Sequence, residues 1–228
     1  MSEKIIKSAD RVKDHGEVFT PKKIVDFMLD QPEIITKIND LAATFLEPSA
    51  GEGAFLTELL SRKMRVALKQ ANNAHEYGVK CLITLSSLYG IELLEDNVEA
   101  LVMNMNDTFR DEYREKVESD FQAAPDIKVL KSAQVIIRAN MAQGDALKRI
   151  TSEGNPIIFS EWAPTSKKGY VQRTEYTFDA IVEGSAPTGT VKGASEQLDL
   201  FDLDDSDDQK QISYATCKWQ DIYLEKIS

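Results

Sequence analysis

Apolar residues along the chain alternate between helical spacing and short runs, and the two kinds of segment take turns. Ile24, Val25 and Met28 share one face of a helix that follows Thr20 and Pro21, with Thr20 as its N-cap and Pro21 at its first position. Phe45 to Glu47 is a short apolar strand. A turn with two glycines follows it, and Phe55, Leu56, Leu59 and Leu60 then continue as an amphipathic helix into the basic stretch from Arg62 to Lys69, which reads as a solvated face. After a polar break at Asn72 and Asn73, a second helix is expected over Glu76 to Ser87. The run Leu88-Tyr-Gly-Ile-Glu-Leu then reads as a strand ending in a carboxylate. Asn97 would cap the next helix, in which Val98, Leu101, Val102, Met105 and Phe109 form a core stripe. A further helix spans Asp126 to Arg138, with Val129, Leu130, Ala133, Ile136 and Ile137 inward. Ile212 to Glu225, with Tyr214, Trp219, Ile222 and Tyr223, reads as one or two edge strands.

Strands alternating with helices predict an α/β domain with a mainly parallel sheet and helices on both faces. In such sheets ligands sit beyond the carboxyl ends of the strands, where Glu47 and Glu92 lie. Gly51 and Gly53 allow positive φ and let a ligand approach the backbone without a Cβ between, while the amides of the helix starting near Glu52 point into the same space. Glu92, ending the second strand, has the position of an acceptor for ribose hydroxyls. The interval from Glu47 to Glu92 is longer than one helix needs, and the helix over Glu76 to Ser87 accounts for it.

Phe-Leu-Glu-Pro-Ser-Ala-Gly-Glu-Gly-Ala-Phe-Leu from Phe45 resembles the first motif of the S-adenosylmethionine-dependent DNA methyltransferases that modify the exocyclic amine of adenine, enzymes of the restriction-modification type. Gly16-Glu-Val-Phe-Thr-Pro resembles the motif preceding it, Tyr-Gly-Ile-Glu-Leu-Leu-Glu-Asp-Asn-Val the second motif, and Asn140-Met-Ala-Gln-Gly-Asp-Ala-Leu the third. The resemblance covers roughly residues 10 to 182. It implies S-adenosylmethionine as cofactor, with Phe19 and Thr20 covering its methionine end, Glu47 meeting its amino group, Glu92 its ribose and Asp145 its adenine, and Gly51 and Gly53 giving the backbone access. It also implies a Rossmann-like methyltransferase fold, incomplete on the C-terminal side.

The resemblance fails at the step that carries the chemistry. The family positions the flipped-out base with Asn-Pro-Pro-Tyr or Asp-Pro-Pro-Tyr after a strand, supplying acceptors for the amine and a stacking ring. Here Tyr176-Thr-Phe-Asp-Ala-Ile-Val, over Tyr176 to Val182, resembles that strand, but Glu183-Gly-Ser-Ala-Pro-Thr follows it. Ser185, Pro187 and Thr188 are the degenerate counterpart: Ser185 can accept one bond and Thr188 has no ring. Tyr170, Trp162 and Tyr176 are the alternative rings. Two functions stay open, an adenine-N6 methyltransferase working alone or with a second methyltransferase or specificity subunit, and a non-catalytic descendant that regulates or antagonises a modification or replication complex.

Charge bears on that choice. A formal net charge of −11 disfavours direct DNA binding, which draws on Lys and Arg at phosphates. Glu196 to Asp208 holds seven acidic residues and no basic one, so the rest of the chain is only mildly acidic. The expected organisation is a cofactor-binding domain over 1–182, a disordered acidic loop over 183–211 and an edge segment over 212–228. Within the loop Gln197-Leu-Asp-Leu-Phe, with Gln197, Leu198, Leu200 and Phe201 as contacts, resembles the pentapeptide by which bacterial replication and repair proteins dock on the DNA sliding clamp; the competing reading is a solvated acidic loop or a segment folded back on the core. No metal site is expected, since Cys81, Cys217, His15 and His75 lack ligand spacing. The absence of a long apolar run or signal peptide and the isolated cysteines predict a cytoplasmic chain without membrane association.

Overall fold

The computed structural model describes Arg11, Lys13 and residues 20–184 and 213–228. Phe19, Ser185, Pro187, Thr188, Gln197, Leu198, Leu200 and Phe201 lie outside the described residues, as does most of the expected loop over 183–211.

Helix α1 (Lys22–Leu29) begins one residue later than the Thr-Pro pair suggests. Pro21 stays extended at ψ 145°, and its carbonyl accepts from Ile24 N and Val25 N, so Pro21 stands at the cap position and Thr20 lies outside the helix. Val25 and Leu29, one turn apart, turn to the core, leaving Ile24, Phe27 and Met28 exposed; the inward face is therefore narrower than the apolar spacing implied. Helix α2 (Pro32–Ile38) leads to β1 (Phe45–Glu47) and α3 (Ala54–Gln70).

Helix α4 (Ala74–Ser86) occupies the place expected of the extra helix. Asn73 caps it by accepting from Glu76 N at 2.9 Å, and the Glu76 carboxylate reaches back to Asn72 N at 3.0 Å, so two otherwise orphaned amides are satisfied reciprocally. Strand β2 (Leu88–Glu92) follows, and then α5 (Glu95–Phe121). Asn97 does not cap α5: Leu94 occupies the N-cap, and Asn97 lies inside the first turn, buried. The stripe Leu101, Met105 and Phe109 is fully buried and continues through Tyr113 and Val117 at four-residue steps. Helix α6 (Ile127–Asn140), capped by Asp126, buries Val129, Ala133, Ile136 and Ile137 as expected and runs directly into β3 (Met141–Gln143).

Strands β1, β2 and β3 form one parallel sheet in that order, with Leu46 opposite Tyr89 and Ile91 opposite Ala142. Both crossovers are helical, as parallel pairing requires. The two faces of this sheet are covered differently. Leu88 and Met141 join the main core, to which α1 to α6 contribute, and Leu56 of α3 sits against Gly90. On the opposite face Ile91 packs with Ile157, Phe159 and Phe178 in a smaller cluster, with Tyr89 and Ala142 beside it.

That second face is covered mostly by a hairpin rather than by helices, which departs from expectation. Strands β4 (Ile158–Pro164) and β5 (Tyr170–Thr177) pair antiparallel, and β6 (Cys217–Lys218) adds to β5, so half of the strands belong to an antiparallel sheet. The expected strand Tyr176 to Val182 is also corrected. Its first two residues end β5, Thr177 then caps a helix by accepting from Ala180 N at 3.1 Å, and α7 (Phe178–Glu183) follows, closed by Gly184 at φ +69°. Phe178 goes into the smaller cluster, and the outer edge of β1 pairs with no described strand. The C-terminal segment contributes less strand than expected: two residues form β6, and a 3-10 helix (Trp219–Leu224) docks on α6, where Ser132 Oγ donates to Gln220 O and accepts from Tyr223 N.

The stretch Arg62 to Lys69 is not a solvated face throughout. Arg62 is enclosed by Asp26, Asp30 and Glu58. Lys63 is 0% exposed, its ammonium donating to Ala43 O (2.7 Å) and Ser87 Oγ (2.9 Å) at the amino ends of β1 and β2. Cys81 is buried and Cys217 half-buried, and both are unbridged. Among the described residues no helix is long and apolar enough to cross a membrane.

Candidate functional site

The site is built where β1, β2 and β3 end. Glu47 is in register with Gly90, and Glu92 with Gln143, so the three strands bring Glu47, Glu92 and the Gln143-Gly144-Asp145 turn to one edge of the sheet. The chain leaving β1 is tied across its neighbour, since Ala50 N donates to Ile91 O at 2.9 Å. Gly51 (φ +54°) and Gly53 (φ +90°) then reverse it into α3, for which Gly53 is the N-cap.

The two glycines are required for different reasons. A Cβ on Gly53 would stand 2.6 Å from Leu101 Cδ1, so both the backbone and the packing of α3 on α5 exclude a side chain. A Cβ on Gly51 would meet nothing within 4 Å. Gly51 thus faces open space and is restricted only by its φ.

Glu92 is 7% exposed, and its carboxylate is the acceptor around which the turn is wrapped. Oε2 accepts from Gly51 N at 2.8 Å, and Oε1 accepts from Leu94 N at 3.1 Å and Asn97 Nδ2 at 3.3 Å. A carboxylate offers about four lone-pair positions, so one remains for a further donor. A pair of ribose hydroxyls would fill it with the first and displace an existing donor with the second. This involvement of Glu92 in the turn was not visible in the sequence.

Glu47 curls onto its own turn, accepting from Ser49 N at 3.2 Å. Asp145 likewise builds a turn: Oδ1 accepts from Leu147 N and Lys148 N, and Oδ2 pairs with the Lys148 ammonium at 3.2 Å. The Lys148 amide first, and then its ammonium, hold the Asp145 carboxyl below the usual carboxylate range. Gly144 secures this turn to the site, its amide donating to Glu92 O at 2.9 Å while a Cβ there would strike Ile150 O at 2.6 Å.

Thr20 is brought to the first turns of α3. It lines a cavity of about 440 Å³ with Lys22, Thr57, Glu58 and Glu112. Ser61 donates to Glu112 in this cavity, and burial raises the Glu112 carboxyl above its ordinary range. Thr20 therefore stands on the flank of the helix whose start holds the glycines, while Glu47, Gly51, Gly53, Glu92 and Asp145 gather at the sheet edge.

The three alternative rings part company. Trp162 is sealed, its Nε1 donating to Asn140 and its ring covered by the Arg173 guanidinium at 5.1 Å. Tyr170 carries the Lys167 ammonium over its ring at 4.0 Å. Tyr176 lines a largely apolar groove of about 370 Å³ along β1, with Leu46, Tyr89, Phe159 and Phe178, and donates its hydroxyl to Glu161 at 2.9 Å. Among the described residues no group of three or more His, Cys, Asp or Glu is placed to hold a metal ion. Compared with family models, curated proteins and solved structures, the chain matches none.

Proposed function

We propose that the carboxyl edge of β1, β2 and β3 binds S-adenosylmethionine, and that the chain is an adenine-N6 DNA methyltransferase-like protein of the restriction-modification type. The observation that carries this reading is that Glu47, Glu92 and Asp145 lie at or just beyond the ends of three adjacent parallel strands, where Glu92 holds the amide of a turn with two positive-φ glycines. Carboxylates in that arrangement suit a ligand that brings an ammonium, ribose hydroxyls and an exocyclic amine. A pyrophosphate at the same turn would be repelled by Glu47. In this reading Gly51 and Gly53 give the backbone access, and Thr20, with Phe19 before it, meets the methionine end.

Calorimetry of the full chain with S-adenosylmethionine tests it. Binding is expected in the micromolar range, about −8 kcal/mol. Glu92→Ala should weaken it more than tenfold, because Gly51 N, Leu94 N and Asn97 Nδ2 all lose their charged acceptor and the turn relaxes. Absence of heat in a folded sample overturns the assignment of the pocket.

A second reading, a non-catalytic binding module, is favoured by one observation: residues 178–183, which precede the degenerate Ser185-Ala-Pro-Thr, form α7 rather than a strand delivering that segment to the site. In this reading Gln197 to Phe201 recruits a sliding clamp and the module regulates or antagonises a modification or replication complex. The two readings separate on transfer of labelled methyl to duplex DNA, with and without a partner subunit. Negligible transfer by the chain alone is expected; robust transfer would establish the first reading and dismiss the second.

A further inference from the structure

One line of polar contacts runs from the glycine turn to the N-terminal segment, and none of the expected cofactor contacts uses its far end. Asn97, 1% exposed, donates from Nδ2 to Glu92 Oε1 and accepts at Oδ1 from Arg11 Nη2 at 3.4 Å. The orientation of the amide is determined by its neighbours, since a guanidinium only donates and a carboxylate only accepts. Arg11 is itself gripped by Asp96, Nη1 to Oδ2 at 2.9 Å and Nη2 to Oδ1 at 3.0 Å, the two-pronged geometry that orients a guanidinium plane. At the other end Glu92 Oε2 holds Gly51 N.

We propose that Arg11 and Asn97 are positioning residues of the cofactor site: Arg11, oriented by Asp96, aims the Asn97 amide, which aims the Glu92 carboxylate and through it the Gly51 amide. The assignment rests on the reading of this edge as a cofactor site. A carboxamide is the side chain this place needs. It gives a donor to the acid and an acceptor to the guanidinium, whereas an aspartate would set a second negative charge against Glu92 and a leucine would offer neither group. Side-chain exposures of 28% for Arg11 and 52% for Asp96 leave their ion pair open to solvent screening, which limits what it adds to stability. Its role as a positioning contact can therefore be separated from a merely structural one.

The test uses the full chain and the variants Arg11→Ala, Arg11→Lys, Asp96→Ala and Asn97→Leu, with two readouts. The first needs no ligand: the chemical shift and hydrogen-exchange rate of the Gly51 amide by NMR, alongside thermal melting. Arg11→Ala and Asn97→Leu are expected to shift that amide and speed its exchange several-fold, with melting unchanged for Arg11→Ala and partial recovery in Arg11→Lys. The second is calorimetry with S-adenosylmethionine, where Arg11→Ala should lose about tenfold in affinity, the worth of one charged hydrogen bond. A Gly51 amide indifferent to both variants overturns the proposal whether or not the cofactor binds, and so does undiminished affinity in Arg11→Ala. If the amide responds but the wild-type chain binds no S-adenosylmethionine, the cofactor reading falls and the positioning line stands as an organiser of the turn.

Discussion

Replacing each glycine of the turn by alanine separates folding from binding, because the structure gives the two positions different surroundings. In Gly53→Ala the residue must hold φ +90°, a strained conformation costing about 1–3 kcal/mol. The new methyl also lies 2.6 Å from Leu101 Cδ1, in a side chain that is fully buried, and forcing such a core to move costs typically about 1–3 kcal/mol more. The expected loss in unfolding free energy is about 2–6 kcal/mol, a large share of an ordinary domain's margin. In Gly51→Ala only the φ of +54° is strained, at about 1–2 kcal/mol, and the methyl projects into open space. That space lies beside the amide held by Glu92, so Gly51→Ala should impair S-adenosylmethionine binding out of proportion to its effect on stability. Urea unfolding and calorimetry on both variants measure the pair of effects. If Gly53→Ala loses no more stability than Gly51→Ala, the close approach of α3 to Leu101 does not constrain the turn and the packing argument fails.

Burial pushes the Lys63 ammonium down from its ordinary 10.5 to about 8, against a smaller upward pull from Asp40. The unfolded chain therefore binds more protons than the folded one between those values, so this group's contribution to stability rises as pH climbs from about 8 to 10.5 and is flat below 8. Urea melts across that range, compared with Lys63→Met, should show a steeper rise in the wild type; parallel curves would refute the shift. Lys63→Met should also be less stable at pH 10, because Ala43 O loses the Lys63 donor there without relief of any buried charge. The double variant Leu200→Ala, Phe201→Ala is expected to abolish capture by a bacterial sliding clamp in a titration while leaving S-adenosylmethionine binding unchanged. Equal capture of wild type and variant, or none of either, would make the pentapeptide incidental.

The parts of this protein legible in its sequence are those whose causes lie within a turn or two of chain. The strand-to-helix reversal at Gly51 and Gly53 follows from the need for positive φ, the place of α4 from the polar break at Asn72 and Asn73, and the α5 core from the four-residue steps of Leu101, Met105 and Phe109. Alternation of helix and strand was enough to expect β1 and β2 in a parallel sheet with Glu47 and Glu92 at one edge, whereas β3 with Asp145 after it was implied by the motif resemblance alone. Local pattern failed where a distant partner decides. Lys63 reads as one more surface cation in a basic stretch until the ends of β1 and β2 close over it. Residues 178–183 have strand-like composition, yet capping by Thr177 and burial of Phe178 in the smaller cluster make them a helix, although the outer edge of β1 pairs with no described strand. Asn97 looks like a cap because asparagine commonly is one, whereas its partners are a carboxylate five residues back and a guanidinium 86 residues away. The same holds for Glu92, whose hold on the Gly51 amide spans 41 residues. Propensity and capping act over about four residues, while hydrogen bonds between segments depend on which surfaces the packed core brings together, and only the tertiary structure decides that.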